Sequence, residues 1–264
     1  FHVLDANKDF TLNPRFYSQN KILLQTEFRE VGKNNKKQFD FSFLNEKSKS
    51  LKSHFFSTIN KKINFFNFYE SNLSLKLQQA SNDDYLKEYK LKSPLIDSDT
   101  LMHSYLEINA YTDDLSLVSS VEVYEDLNKP DKDRYEFIYP NFNLLKEFKN
   151  NTTLNGRFSL NSYGYAKTHA TNVDERTIIN DLIFNSNPKI TKKGFKNTFA
   201  YLFKNSNTDS SKSSSFKEGV DNKIDLLFEY NSSYPLVKRS EKFTSTLSPL
   251  MTFKYSPNNS KNMT

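Results

Sequence analysis

The chain has 264 residues, a formal net charge of +6 and no cysteine, so disulfides contribute nothing to this stretch. Only 36% of the residues are hydrophobic, yet 15% are aromatic, which excludes a disordered chain because disordered segments are poor in aromatic residues. No run of about 18 apolar residues occurs, which excludes a transmembrane helix but not transmembrane strands. No basic cluster stands out, so we interpret the charge as solvated lysines and predict no nucleic-acid partner.

Apolar and polar residues alternate along most of the chain, with the period of strands that have two unlike faces. The predicted strands are 9–18, 21–31, 38–44, 54–65, 69–79, 101–112, 116–124, 135–144, 157–168, 176–184, 195–204, 223–230 and 243–255. Several are about ten residues long, as tilted membrane strands require, whereas strands of soluble proteins average about five or six. The pattern therefore predicts an all-β, antiparallel fold and favours a transmembrane β-barrel.

Two segments interrupt the alternation. Residues 81–89 predict a capped helical turn within a long loop, and the Ser-rich residues 205–217 predict a mobile loop. The chain begins without Met and without a signal peptide, so we expect it to be a fragment of a longer precursor. Two alternatives remain open from the residues alone: another outer-membrane barrel, such as a porin or receptor, and a soluble β-sandwich for adhesion or carbohydrate binding.

Neither a metal site nor a catalytic constellation is recognisable in the sequence. The paired carboxylates at 83–84 and 113–114 are typical of turns, and no phosphate loop or nucleophile elbow occurs. We therefore predict a protein without enzymatic activity, cofactor or bound metal. No histidine has a second ligand at a metal-binding spacing; the histidines are His2, His54, His103 and His169.

Pro14 lies inside an otherwise regular predicted strand. Proline cannot donate a hydrogen bond to a strand ladder, so it belongs on an edge, at a bulge or at a weakened seam. Two interpretations of Pro14 remain open: an ordinary edge or bulge proline, and a deliberately weakened functional seam.

Several stretches resemble the LptD family of outer-membrane lipopolysaccharide (LPS) assembly proteins. Residues 7–18 resemble the opening barrel strand of the family, and Leu23-Leu24-Gln25-Thr26-Glu27-Phe28-Arg29 resembles the strand that follows. Ser53-His54-Phe55-Phe56, the loop at 82–89, and short stretches at 155–157 and 174–176 are similar to later parts of the barrel, in the same order. The chain departs from the family at Ser248-Pro249, where a Glu-Pro pair is common, and in having no cysteine.

The resemblance implies that residues 1–264 form about the first half of a large barrel, an open curved sheet when taken alone. It implies LPS transport in the outer membrane of a Gram-negative bacterium, with Pro14 at a lateral gate. Lumen-facing residues would be Gln25, Glu27 and Arg29, and lipid-facing residues would be Ile22, Leu24 and Phe28. Implied partners are LPS, an LptE-like lipoprotein plug, the periplasmic Lpt bridge reached through a preceding jelly-roll domain, and the barrel assembly machinery.

Overall fold

The structure is a computed structural model that describes residues 1–18, 21–45, 51–130, 132–148, 155–169 and 172–257. Strands account for nearly all of the regular structure, with a single short helix among the described residues. In chain order the elements are β1 (His2–Asp5), β2 (Lys8–Tyr17), β3 (Lys21–Val31), β4 (Asn35–Asn45), β5 (Lys52–Ile63), β6 (Glu70–Ala80), α1 (Tyr85–Glu88), β7 (Leu101–Tyr111), β8 (Leu115–Asp126), β9 (Tyr135–Phe148), β10 (Gly156–His169), β11 (Val173–Ser186), β12 (Lys189–Ile190), β13 (Lys196–Ser211), β14 (Gly219–Ser233), β15 (Leu236–Arg239), β16 (Thr244–Leu247) and β17 (Leu250–Tyr255).

One antiparallel sheet of fifteen strands contains every strand except β15 and β16, which form a separate hairpin. Successive strands along the chain pair with each other from β1 to β11, and the sheet continues through β13 and β14 to β17. Within the described residues β1 and β17 stand at opposite ends of this order and do not pair, so no closed barrel is present. The prediction of an all-β antiparallel fold is confirmed. The assignment of residues 1–264 to half of a larger barrel domain stays a prediction.

Long strands with alternating faces account for the sheet. The strands from β2 to β11, together with β13 and β14, are 10 to 16 residues long, and β3 has the bounds that the alternation predicts. Three strands are missing from the prediction because they are too short to display a period of two: β1, β12 and β15 have four, two and four residues. In the described part of the chain, no helix is long and apolar enough to cross a membrane.

Two predicted segments differ from the structure. The Ser-rich loop predicted at 205–217 starts too early, because β13 continues to Ser211 and pairs with β11 and β14 along this polar stretch. The predicted strand at 243–255 is two strands: β16 pairs with β15, and β17 pairs with β14. Pro249 lies between them, where the absence of an N–H favours a break in the ladder.

The loop that joins β6 to β7, residues 81–100, folds back over the sheet, and we call it the strap. It contains α1, so the predicted helical turn is present, but Asp84 makes no side-chain cap hydrogen bond. The strap forms the buried apolar cluster of the molecule with side chains from five strands and the β8–β9 turn. Its members are Leu23, Leu44, Phe56, Ala80, Tyr85, Leu86, Tyr89, Leu91, Leu95, Met102 and Leu127.

Candidate functional site

The sheet has two chemically opposite faces. Residues that sit directly opposite each other on paired strands share a face, so each row of partners can be followed across the sheet. Gln25 pairs with Asn13 and Ser42, which defines the polar face, and Leu24 pairs with Pro14 and Phe43, which defines the apolar face.

The apolar face carries large side chains that remain exposed from one end of the sheet to the other. A second sheet would bury such a face in a β-sandwich, and no such layer covers it among the described residues. These exposed side chains include Phe16, Ile22, Phe41, Phe55, Leu77, Leu106, Val121, Phe137, Ile178, Tyr201 and Leu226.

The apolar band does not follow the hydrogen-bonded rows but crosses them diagonally. From β2 to β6, the apolar side chains lie in the row of paired residues that ends at Leu77 of β6. From β6 to β10, they lie in the row that begins at Leu73, four residues earlier in the same strand. The step repeats at β10, from Gly164 to Leu160. The first row runs through Phe10, Phe28, Phe39, Ser57 and Leu77. The second runs through Leu73, Ile108, Ser119, Phe142, Gly164 and Ile178, and the third through Leu160, Leu182, Phe203 and Leu226. All members are apolar except the two serines.

This drift amounts to about one residue per strand. The drift is thus about 3.3 Å along the strand for each step of about 4.8 Å between strands, which corresponds to an angle of roughly 35°. The band would be level if the strands were tilted by this angle. Barrel strands tilt by about 35–45° from the barrel axis. The band is therefore oblique to the rows of paired residues, and the tilt that would make it level is at the lower end of the range found in barrels.

A buried polar network lies on the polar face beneath the strap. The Ser42 hydroxyl lies 2.6 Å from His54 Nδ1 and 2.7 Å from the Tyr85 hydroxyl of α1. On the other side of the ring, His54 Nε2 lies 3.2 Å from Asp40 Oδ1. Gln25 Nε2 donates to both Asp40 oxygens at 3.2 Å and to the Lys92 carbonyl of the strap at 2.9 Å.

One assignment of protons satisfies the whole chain of groups. Tyr85 donates to Ser42, Ser42 donates to His54 Nδ1, and His54 Nε2 donates to the Asp40 carboxylate. Although Ser, His and Asp recur in hydrolytic sites, Asp40, Ser42 and His54 are each buried here, and the Ser42 hydroxyl is held between two partners. The network therefore fits a structural role, which we call the bracket: its residues Asp40, Ser42 and His54 attach the strap to the sheet, because a buried polar network whose members are all hydrogen-bonded is rigid.

Charged contacts at the surface of the strap reinforce this attachment. The hydrogen bond from Lys52 Nζ, at 2.7 Å, lowers the pKa of Glu88, so this contact is present at neutral pH and is lost as the pH falls through that lowered value. Burial raises the pKa of the Tyr85 phenol, and its hydrogen bond with Ser42 offsets part of that rise. The hydrogen bond to Asp83 raises the pKa of Arg134, which keeps this guanidinium charged.

The three residues predicted to face a lumen share the polar face but differ in surroundings. Gln25 is only 6% exposed, because the strap covers it. Glu27 is half-buried and accepts a hydrogen bond from Gln38 Nε2 at 2.7 Å. Arg29 is exposed and forms an ion pair with Asp9 at 2.9 Å.

The three residues predicted to face lipid share the apolar face. Ile22 is exposed and pairs with Phe16, while Leu24 is half-buried between Pro14 and Phe43. The Phe28 ring lies 6.1 Å from the ring of Phe39 on the next strand. The structure thus places the two predicted sets on opposite faces of the sheet.

Pro14 lies in the part of β2 that has a neighbour on one side only. Among the described residues β1 pairs with β2 no farther along than Phe10. Val31 N–H donates to the Asn7 carbonyl at 3.0 Å, and bonding residues alternate along an antiparallel pair, so Asn13 and Arg15 bond to β3. Pro14 therefore directs its nitrogen to the open edge and removes no bond between β2 and β3.

The network residues Asp40, Ser42 and Tyr85 were not singled out by the sequence patterns, although His54 and the 82–89 loop were. One signal was available, since Asp40 and Ser42 are two residues apart and so share a face of β4. Their partners in β5 and the strap depend on register and on a long loop, which local periodicity does not specify. Among the described residues no group of three His, Cys, Asp or Glu side chains is placed to hold a metal ion.

Comparison with known proteins adds no identification to this geometry. A scan against protein-family models finds no match, and a search of curated proteins finds none either.

Proposed function

We propose that this chain forms part of the wall of an outer-membrane barrel that transports LPS to the cell surface. In this proposal the apolar face contacts lipid and the polar face lines a hydrated lumen. The protein has no enzymatic activity and no cofactor, and it resides in the outer membrane of a Gram-negative bacterium.

The single observation that carries the membrane part of the proposal is the diagonal drift of the apolar band. A soluble sheet with an exposed apolar face has no reason to keep that face level with respect to tilted strands. A bilayer favours such a level band, because outward side chains at the depth of the hydrocarbon are mostly apolar whichever strand they belong to. Three polar residues lie within the band on this face and hydrogen-bond to one another: Ser162, Asn180 and Asn205. Strands of 10 to 16 residues are also long enough to cross a bilayer when tilted, which takes about 9–11 residues.

The choice of LPS as the substrate rests on the resemblance to the LptD family. The stretches that are most specific when taken together are 23–29, 82–89 and 7–18, and the first two share one packed region: Leu23 joins Tyr85 and Leu86 in the buried cluster. Gln25 of the first stretch also reaches the strap through Lys92. Stretches that are far apart in sequence but share one packed site are more informative together than separately.

The proposed lateral gate is the open edge of β2 around Pro14. A strand that added to this edge would find no N–H at Pro14 and would form one hydrogen bond fewer there. Such a seam is weaker by about 0.5–1.5 kcal/mol, the net worth of one hydrogen bond. The acyl chains of LPS would leave through this seam while the sugars pass along the polar face.

Partners follow from the same proposal. An LptE-like lipoprotein plug would contact the polar face beyond the strap, over β8 to β14, because the strap packs against β3 to β7. The periplasmic Lpt bridge would deliver LPS through a preceding domain, and the barrel assembly machinery would insert the protein.

Replacing Pro14 by Ala tests the gate. Pro14→Ala supplies the missing N–H at the open edge, so we expect a tighter seam, slower LPS delivery, less surface LPS and greater sensitivity to large antibiotics. Pro249→Ala is the matched control, since Pro249 lies between β16 and β17 and outside both strands. Unchanged surface LPS and unchanged antibiotic sensitivity in Pro14→Ala would count against the gate.

A further inference from the structure

The strap touches the edge strand β2 near the middle of the strap, at Tyr89. Arg15 Nη1 donates to the Tyr89 carbonyl at 3.1 Å, and Arg15 Nη2 donates to Gln25 Oε1 at 3.3 Å. The ring of Tyr17 meets the ring of Tyr89 edge-on, with centroids 5.5 Å apart. Since β3 is the sole strand beside this part of β2 among the described residues, these contacts add to the β2–β3 ladder in holding β2 in place.

Both chain ends of the strap are fixed at the β8–β9 turn, six strands away from β2 along the sheet. Arg134 Nη2 lies 2.7 Å from Asp83 Oδ1, and Lys87 Nζ donates to Asn128 Oδ1 at 3.1 Å. The backbone N–H of Leu127 donates to the Thr100 carbonyl at 2.8 Å, and its side chain is buried in the same apolar cluster as the strap.

Buried residues of the strap connect its contact with β2 to its contacts with the β8–β9 turn. Tyr85 and Leu86 are fully buried between them, and the Gln78 amide donates to the Leu95 carbonyl at 2.7 Å. Packed interiors do not deform gradually, so a cluster of this kind tends to be docked or undocked as a unit. A change at the β8–β9 turn can therefore reach β2 through a single packed element.

We propose that the strap couples the β8–β9 turn to the edge strand β2, so that loosening the strap at the turn loosens β2. The inference rests on the proposed function for its biological meaning, because β2 carries the proposed gate. The coupling itself is a physical property of the fold and can be measured without LPS.

Hydrogen exchange in the membrane-inserted protein tests the coupling. Asp83→Asn removes the ion pair with Arg134 at the β8–β9 turn and leaves the contact of Arg134 with Glu125 in place. We expect exchange of the β2 amides that bond to β3, at Thr11, Asn13 and Arg15, to rise about two- to fivefold, the range for an exposed ion pair. Arg157→Gln, which removes an ion pair between β9 and β10, is the matched control and should leave β2 unchanged.

A double-mutant cycle separates coupling from two local effects. Arg15→Gln should raise exchange in β2 directly, and adding Asp83→Asn should then raise it by less than Asp83→Asn does alone, because the strap no longer holds β2. Faster exchange in the strap and turn with unchanged β2 in Asp83→Asn would overturn the inference, as would fully additive effects. Faster β2 exchange with normal LPS delivery would uphold the coupling and count against the proposed gate instead.

Discussion

Leu75→Arg is expected to destabilise the membrane-inserted protein by about 2–4 kcal/mol, the cost of an arginine on the lipid face at the bilayer midplane. Leu75 lies in the middle of β6 on the apolar face, between Ile59 and Leu106. Its guanidinium would have no water and no counter-ion at that depth, so the free energy of unfolding in lipid vesicles should fall. Reversible denaturant unfolding in vesicles measures this change.

The preceding residue supplies the control. Ser74→Arg places the same side chain one position away on the polar face, where Ser74 pairs with Asn60 and Glu107. A hydrated face with a nearby carboxylate accepts the charge, so we expect a change within about 0.5 kcal/mol. Equal destabilisation by the two substitutions would contradict the assignment of the faces.

Phe56→Ala is the second substitution with a large expected effect, a loss of about 3–5 kcal/mol. Phe56 is 0% exposed and packs in the apolar cluster beneath the strap, with its ring 4.8 Å from that of His54. Removing it leaves a cavity against the bracket of Asp40, Ser42 and His54, which cannot collapse without breaking hydrogen bonds. The free energy of unfolding and the proteolysis of the strap report the loss.

Phe55→Ala provides a control with the same side chain on the next residue. Phe55 is 42% exposed on the apolar face and contacts Phe39 at a ring distance of 6.4 Å. Its removal opens no cavity, so we expect a cost of about 0.5–1.5 kcal/mol, the worth of an aromatic pair. A larger loss for Phe55→Ala than for Phe56→Ala would show that the strap does not organise the core.

Local periodicity was sufficient to predict most of the sheet. Alternation places β3 at its observed bounds and assigns Gln25 and Leu24 to opposite faces, because a period of two is a property of each strand alone. The same reasoning ends polar strands too early. Asn205 and Asn207 lie within β13, beyond the predicted end at 204; they hydrogen-bond to each other, and Asn205 accepts a hydrogen bond from Asn180.

The site could not be predicted in the same way, because its contacts are distant in sequence. The strap seals Gln25 from the remainder of the polar face through Lys92, 67 residues later in the chain. Tyr85 meets Ser42 across 43 residues. Such contacts depend on how a long loop folds over a formed sheet, and nothing in the alternation of either segment specifies that path.

In the described part of the chain, the two ends of the sheet leave backbone hydrogen-bonding groups without a neighbouring strand. The edge of β2 beyond Phe10 has no neighbour among the described residues, and β17 pairs with only part of β14. Unpaired backbone groups cost several kcal/mol each in hydrocarbon, so a sheet with such edges needs further strands to close it in a bilayer. Closure by strands of the same barrel would place Pro14 at the seam.

The accessibility of single cysteines along β6 to lipid and to water tests directly whether the apolar face contacts lipid and the polar face contacts water. This stretch of the protein contains no cysteine, so each introduced thiol can be labelled alone with a fluorophore. In membranes, labels at Leu73 and Leu75 should be quenched by nitroxide lipids, and labels at Asn72 and Ser74 should be quenched by a water-soluble quencher. Quenching that does not alternate between these neighbours, or that alternates in the opposite sense, would contradict a lipid-facing apolar face and a hydrated polar face.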